Sequence, residues 1–220
     1  MPTMRQSNPE DRSAAWIEGI GTSVFVPSSY TPSYSYPVVV WLESSSGDGQ
    51  EARDWFPRVS DRNVVVISLQ PPLVGESEDQ PLGTWRTRPD NVWEAMDYVE
   101  KSLAEVQDIL SIHPERIFLA GREDGAAMAA DLVCIHPHQF AGILAIDPAG
   151  PWADQSLTDW RALPGKPAFH ASISSEDPAW LAHLERLGMS VQHVTPVSKA
   201  ELAAEIGRWI LSSIPTAAGL

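Results

Sequence analysis

Two glycines frame a short acidic turn in the middle of the chain, Gly121-Arg122-Glu123-Asp124-Gly125. The turn follows an apolar run and precedes an alanine-rich segment, so the pattern predicts a strand, a tight turn and a helix. Glycine at both ends makes room for a strained central residue at a helix N-terminus, which is the frame of a nucleophile elbow. Glu123 stands at its centre. A carboxylate there could cap the helix, bind a cationic or hydroxylated ligand, or take part in catalysis.

Strands and helices must alternate along the chain to position this turn. Short apolar runs predict strands, and several are continuous rather than alternating, which is typical of strands covered on both faces of a parallel sheet. The predicted strands are 23–26, 38–42, 64–68, 116–120, 142–146, 168–172 and 190–194, and the predicted helices are 50–58, 91–112, 125–136, 178–187 and 199–213. This order predicts an α/β protein with a mostly parallel sheet of about seven strands and helices on both faces.

Two of these helices carry end signals. Apolar residues between 92 and 110 recur every three or four positions, with Asp90 expected to cap the first turn and Pro89 just before it. Ser198 and Glu201 have the spacing of a capping box at the start of the last helix. Ligands bind such sheets at the carboxyl ends of the strands, so the loops that follow the strands are the places to look for a site.

Three stretches carry a resemblance to a known family. They are YPVVVWLESSSGDG from residue 36, HPERIFLAGREDGAAMAADLV from residue 113, and HPHQFAGILAI from residue 136. Together they resemble the α/β-hydrolase superfamily, specifically its phospholipase/carboxylesterase-like bacterial esterases, over roughly residues 20–212. The resemblance implies an α/β-hydrolase-like fold with no large lid domain, and ester hydrolysis by a Ser-His-Asp triad.

The chain departs from that family at three catalytic features. Glu123 stands where active relatives have the nucleophilic serine, and Glu43-Ser44 replaces the His-Gly that helps to shape the oxyanion hole. The loop before the last helix, where the base histidine would lie, is Thr195–Lys199 and contains no histidine. A carboxylate is a weak nucleophile toward esters, and one beside an oxyanion hole opposes the developing charge. Asp177 is the one candidate triad acid.

Each candidate residue also has a structural alternative. Glu123 and Asp124 suit a helix N-terminus, and Asp177 suits a cap for the helix that begins at Pro178. The candidate binding residues around the elbow are Glu43, Ser44, Arg122 and Asp124. An aspartate at the elbow is the nucleophile in haloalkane dehalogenases of the same fold, but the missing base histidine leaves no route to hydrolyse such an intermediate.

Three hypotheses follow. The first is a non-catalytic α/β-hydrolase homologue that binds a small ligand or a protein partner. The second is a carboxylic-ester hydrolase with a rearranged site, in which Glu43 and Glu123 lie close enough for mutual repulsion to raise their pKa values. The third is a structural subunit or homodimer that uses exposed tryptophans such as Trp152, Trp160 and Trp180 at an interface.

Composition excludes several other classes. With 220 residues, a formal net charge of −14 and a single cysteine, Cys134, the chain is a poor partner for nucleic acid or an anionic membrane and has no internal disulfide or multi-cysteine metal site. We expect no metal and no cofactor.

The N-terminus lacks the apolar core of a signal peptide, which predicts a cytoplasmic protein. The expected organisation is an extension over 1–19, one domain over 20–213 and a tail over 214–220.

Overall fold

An eight-stranded sheet runs through the protein, with helices on both of its faces. The computed structural model describes residues 15–19, 22–47, 49–60, 62–72, 83–85, 89–149, 158–173 and 178–213. The strands are β1 (Ala15–Glu18), β2 (Thr22–Val26), β3 (Tyr36–Leu42), β4 (Val65–Leu69), β5 (Ile112–Arg122), β6 (Gly142–Ile146), β7 (Pro167–Ala171) and β8 (Ser190–Val194). The helices are α1 (Glu51–Val59), α2 (Pro89–Gln107), α3 (Glu123–Ile135), α4 (Pro178–Arg186) and α5 (Lys199–Ser212).

The strands are ordered β1-β2-β4-β3-β5-β6-β7-β8 across the sheet. Six neighbouring strands, β4, β3, β5, β6, β7 and β8, run parallel. The antiparallel pairs are β1 with β2 and β2 with β4. The carboxyl ends of β3 and β5 lie side by side, because Leu42 is paired with Gly121. The predicted α/β class with a mostly parallel sheet is therefore confirmed, and the loops after β3 and β5 meet at one edge.

Two layers of apolar side chains bury the sheet. All seven residues of β3 are buried, as expected for a continuous apolar strand. Val38, Val40 and Leu42 face the layer of α2, α3 and α4, whereas Val39 and Trp41 face α1 and α5. The parallel strands at the centre of the sheet are therefore held from both sides, which gives the loops at their ends a rigid support.

One strand was absent from the prediction. β1 lies inside the stretch 1–19 that was expected to be an extension, and it pairs along its length with β2. Its four residues are too short to show a clear alternation, so the pattern carried no strand signal. Six of the seven predicted strands agree with the structure within two residues, and β5 begins four residues earlier than predicted.

The longest helix begins and ends earlier than predicted. α2 starts at Pro89, so the proline is its first residue rather than the residue before it, and Asp90 lies within the helix. Proline suits this position because the first amides of a helix have no partner inside the helix. The helix ends at Gln107, where the backbone turns before β5. The apolar period continued to Leu110 because that side chain still packs against the core.

The tryptophans expected at an interface do not share one environment. Trp180 is buried, with 2% of its surface exposed, and it belongs to the core layer beside α4, so its expected exposure was wrong. Trp160 is half-exposed, and Trp152 lies outside the described residues.

Among the helices that the structure describes, none is long and apolar enough to cross a bilayer.

Candidate functional site

The turn between β5 and α3 has the backbone of a nucleophile elbow. Glu123 has a φ of 51°, in the left-handed region that a side chain other than glycine rarely adopts. Both framing glycines are required by close approach. A Cβ on Gly121 would lie 2.6 Å from the carbonyl carbon of Gly125, and a Cβ on Gly125 would lie 2.2 Å from the carbonyl oxygen of Leu42. The strained turn that the glycine spacing predicted is therefore present, with a carboxylate at its tip.

The carboxylates of the elbow are bound by other groups of the protein. Glu123 pairs through Oε1 with Arg122 Nη2 at 2.9 Å, and its Oε2 accepts a hydrogen bond from the Ser46 hydroxyl. Asp124 accepts from the backbone N–H of Ser45 at 2.9 Å, from the Ser45 hydroxyl, and from the backbone N–H of Trp85 at 3.3 Å. These contacts join the elbow to the loop that follows β3.

The same loop is bonded to the first turn of α1. Ser44 is buried, its backbone N–H donates to Glu51 Oε2 at 3.0 Å, and its hydroxyl donates to Glu51 Oε1 at 2.8 Å. Arg122 Nη1 lies 3.5 Å from Glu51 Oε1, so the guanidinium bridges Glu51 and Glu123. Three consecutive serine hydroxyls, from Ser44 to Ser46, thus donate to three different carboxylates. No local pattern in the sequence indicates this arrangement, because the partners lie 7 to 79 residues apart.

Glu43 faces away from the elbow, toward α1. Its fully buried carboxylate accepts from the backbone N–H of Glu51 at 2.9 Å, from that of Ala52 at 3.1 Å and from the Ser68 hydroxyl at 2.5 Å. It therefore satisfies amides in the first turn of α1 that have no partner inside the helix. Burial raises the pKa of Glu43, and the nearby Glu51 raises it further, against the lowering effect of these hydrogen bonds.

These contacts contradict the predicted repulsion between Glu43 and Glu123. The charged neighbour that raises the pKa of Glu43 is Glu51, and the partners of Glu123 are Arg122 and Ser46. The two carboxylates were expected to converge because both follow the ends of adjacent strands. Each has its own partners instead, since Glu43 accepts from amides of α1 and Glu123 pairs with Arg122.

The loop after β3 leaves little free hydrogen-bonding capacity for an oxyanion. In α/β-hydrolases the hole is formed by the N–H after the nucleophile and an N–H from this loop. Here the N–H of Ser44 donates to Glu51 and the N–H of Ser45 donates to Asp124. Both amides therefore already hold an anionic oxygen that belongs to the protein itself, and that negative charge opposes a developing oxyanion.

All six histidines of the sequence lie in the described residues. His113 is at the amino end of β5, and His136 and His138 follow α3, all at the opposite edge of the sheet from the elbow. His170 on β7 pairs with His193 on the adjacent β8, with 2.9 Å between their Nδ1 atoms, and His183 on α4 contacts Arg186. Residues 195–198, which follow β8, include no histidine, so the loop in which the family resemblance would place the base histidine contains none.

Two other groups bear on the chemistry of the site. Cys134 is buried on α3, and burial raises its pKa to about 12, so the thiol stays protonated and is no nucleophile. Asp147, directly after β6, has a φ of 43° and accepts from the backbone N–H of Ile173 at 2.6 Å. Asp147 was not among the predicted site residues, although its position directly after a buried strand is a signal in the sequence. Asp177 lies outside the described residues.

No group of three or more potential metal ligands occurs in the part of the chain that the structure describes. The elbow region combines the strained backbone of a nucleophile elbow with side chains that bind one another. Its polar side chains form one network that runs from α1 through Ser44–Ser46, here called the serine loop, to α3. Arg122 links the two ends of this network, because it contacts both Glu51 and Glu123.

No family model matches the chain, and no curated protein matches its sequence. Solved structures do match its fold. A carboxylesterase from Mesorhizobium loti superposes with a TM-score of 0.66 and 13% identity, covering 90% of this chain and 99% of that one. A CE1 ferulic acid esterase from Anaeromyces mucronatus gives 0.60 and 10% identity, covering 94% of this chain and 93% of that one.

A thermostable esterase matches with a TM-score of 0.56 and 17% identity over 87% of this chain, which spans only 58% of the length of that esterase. At these identities the likeness concerns the fold alone. Together with the strand order and the elbow, it defines the class: the protein has the α/β-hydrolase fold that the resemblance implied.

Proposed function

We propose that this protein is a non-catalytic member of the α/β-hydrolase fold, which uses the folded shape to bind a small ligand or a protein partner. One observation carries the proposal: the two amides that the loop after β3 could contribute to an oxyanion hole donate to the protein's own carboxylates, Ser44 to Glu51 and Ser45 to Asp124. An oxyanion in that place would have to displace one anion and would remain beside the others, which removes the largest single source of catalysis in this class.

The elbow supports the same proposal. A carboxylate is a weak nucleophile toward esters, and the ion pair with Arg122 and the hydrogen bond from Ser46 weaken the nucleophilicity of Glu123 further. The strain at Glu123 has been kept, although the residue no longer has the hydroxyl that the elbow presents in esterases. The strained turn at Glu123 also has a structural role, because it brings Gly125 into close contact with Leu42 and so packs α3 against the end of β3.

Ester hydrolysis is the direct test. We expect purified protein to hydrolyse p-nitrophenyl acetate at the buffer rate, and Glu123→Ala to leave that rate unchanged. Glu123→Ser should also stay at background, because it restores the hydroxyl without a base histidine or free oxyanion amides. Glu185→Ala, which removes an exposed carboxylate on α4, is the matched control.

A wild-type rate well above background would contradict the proposal if Glu123→Ala abolished it and Glu185→Ala did not. That result would favour a rearranged, carboxylate-based esterase.

A further inference from the structure

A cavity lies at the opposite edge of the sheet from the elbow. It has a volume of about 660 Å³, within the range of sites that take small organic ligands. It opens between the second half of α2, the loop before β6 and the amino ends of β5 and β7. The five residues of β6 separate the two edges by roughly 16 Å, so the cavity is distinct from the elbow network.

The floor of this cavity is apolar. Leu103 on α2, Ile117 on β5 and Phe140 before β6 line it, and all three belong to the core. Buried apolar side chains that also border a cavity of this size offer a surface on which an apolar ligand loses contact with water. The floor therefore favours a ligand with a hydrophobic body.

One cation, Lys166, stands at the wall of the cavity. Its backbone is fixed on both sides, since its N–H donates to the Leu163 oxygen at 2.9 Å and its own oxygen accepts from the Ser190 N–H at 2.9 Å. The ammonium has three N–H donors, and one donates to the Phe140 oxygen at 2.7 Å. In the part of the chain that the structure describes, no carboxylate forms an ion pair with Lys166.

The other two lysines of the chain are placed differently. Lys101 pairs with Asp97 at 2.6 Å on the exposed side of α2, and Lys199 lies over the ring of Trp55. Lys166 alone is half-buried, borders a cavity and has only a neutral carbonyl as its partner. Burial lowers the pKa of Lys166, and no opposite charge offsets that effect, so an anion beside it would be stabilised.

Two carboxylates on the cavity wall limit the choice of anion. Glu100 and Glu115 both line it, and Glu100 accepts a hydrogen bond from the Gln139 amide at 3.3 Å. A ligand with a second negative charge would be repelled by these carboxylates. Charge complementarity therefore favours a ligand with one anionic group, placed at Lys166, and an uncharged body.

We propose that this cavity binds a hydrophobic monocarboxylate, with the carboxylate on the Lys166 ammonium and the apolar body over Leu103, Ile117 and Phe140. This inference does not rest on the proposed function, because the cavity and the elbow share no residue. The protein would bind such an acid whether or not the elbow hydrolyses esters.

Titration calorimetry with three probes of equal chain length tests the proposal. Octanoate carries one carboxylate, octan-1-ol none and octanedioate one at each end. We expect octanoate to bind and the other two to bind at least about tenfold more weakly, because a charge-assisted hydrogen bond to the ammonium is lost in one case and repulsion is added in the other. Equal binding of octanoate and octan-1-ol, or no octanoate binding, would overturn it.

Variants locate the site. Lys166→Gln should weaken octanoate binding about tenfold or more, whereas Lys199→Gln, which also removes one lysine charge, should not change it. Ala104→Trp places a large side chain in the cavity from an exposed position on α2, so it should block binding without disturbing the core. Unchanged octanoate affinity in both Lys166→Gln and Ala104→Trp would exclude this cavity as the site, with circular dichroism confirming that each variant is folded.

Discussion

The carboxylate of Glu43 lies in the protein interior at the end of β3, where it replaces solvent for the first amides of α1. The family resemblance alone would compare it with an oxyanion motif. Its contacts assign it instead to the start of a helix, where an anionic oxygen interacts favourably with exposed N–H groups. The structure therefore gives Glu43 a structural role at the start of α1.

The raised pKa of Glu43 predicts a pH dependence of stability. Because its pKa is higher in the folded state than in the unfolded state, the contribution of Glu43 is fully present below the unfolded value and is lost as the pH rises through the folded value. Glu43→Gln does not titrate. We therefore expect the melting temperature of the wild type, relative to that of Glu43→Gln, to fall as the pH rises above about 4.5, the ordinary pKa of a glutamate.

Thermal melts at several pH values measure this difference. Glu185→Gln, an exposed carboxylate of α4, is the control for general effects of charge removal. A wild-type minus Glu43→Gln difference that stays constant with pH would contradict the raised pKa of Glu43.

At the scale of elements, the critical contact is between the first turn of α3 and the end of β3. Gly125 lies so close to Leu42 that any side chain would meet its carbonyl oxygen. The contact brings the acidic turn to the serine loop, where the hydroxyls of Ser45 and Ser46 bind Asp124 and Glu123. Helix-to-strand packing and the polar network therefore depend on each other.

Gly125→Ala should destabilise the protein by about 1–3 kcal/mol, because the added methyl group forces the helix away from the strand. In an uncrowded helix the same change would be stabilising by about 1 kcal/mol, so the sign decides. Urea unfolding measures it. Gly165→Ala, whose Cβ would meet nothing within 4 Å but whose φ is 77°, gives the backbone cost alone. A Gly125→Ala variant as stable as the wild type would show that α3 and β3 do not need the close contact between Gly125 and Leu42.

At the scale of the molecule, one sheet connects both core layers, and each layer packs on the same strands. We predict that residues 20–213 unfold as one unit, as expected for a single domain. Differential scanning calorimetry should show one transition whose calorimetric and van't Hoff enthalpies agree. Two separate transitions would indicate that the chain is divided into independent parts.

Much of the fold could be predicted from local patterns. The continuous apolar run of Val38–Leu42 predicted a central strand, and the spacing of Gly121 and Gly125 predicted the strained turn at Glu123. The capping by Ser198 was also confirmed, since its hydroxyl accepts from the Glu201 N–H at 3.2 Å. These features depend on residues close in sequence, where burial period and backbone sterics act directly.

The candidate site was decided by the tertiary structure. Ser45 and Ser46 meet Asp124 and Glu123 across 79 and 77 residues of sequence, and no local pattern indicates which hydroxyl meets which carboxylate. Those partners follow from the pairing of β3 with β5, which places the two loops together at one edge. The cavity beside Lys166 has the same origin at the other edge. Sequence by itself determined seven of the eight strands and the five helices, because the patterns that indicate them are local. Which charges are neutralised and which remain available depended on how distant loops meet.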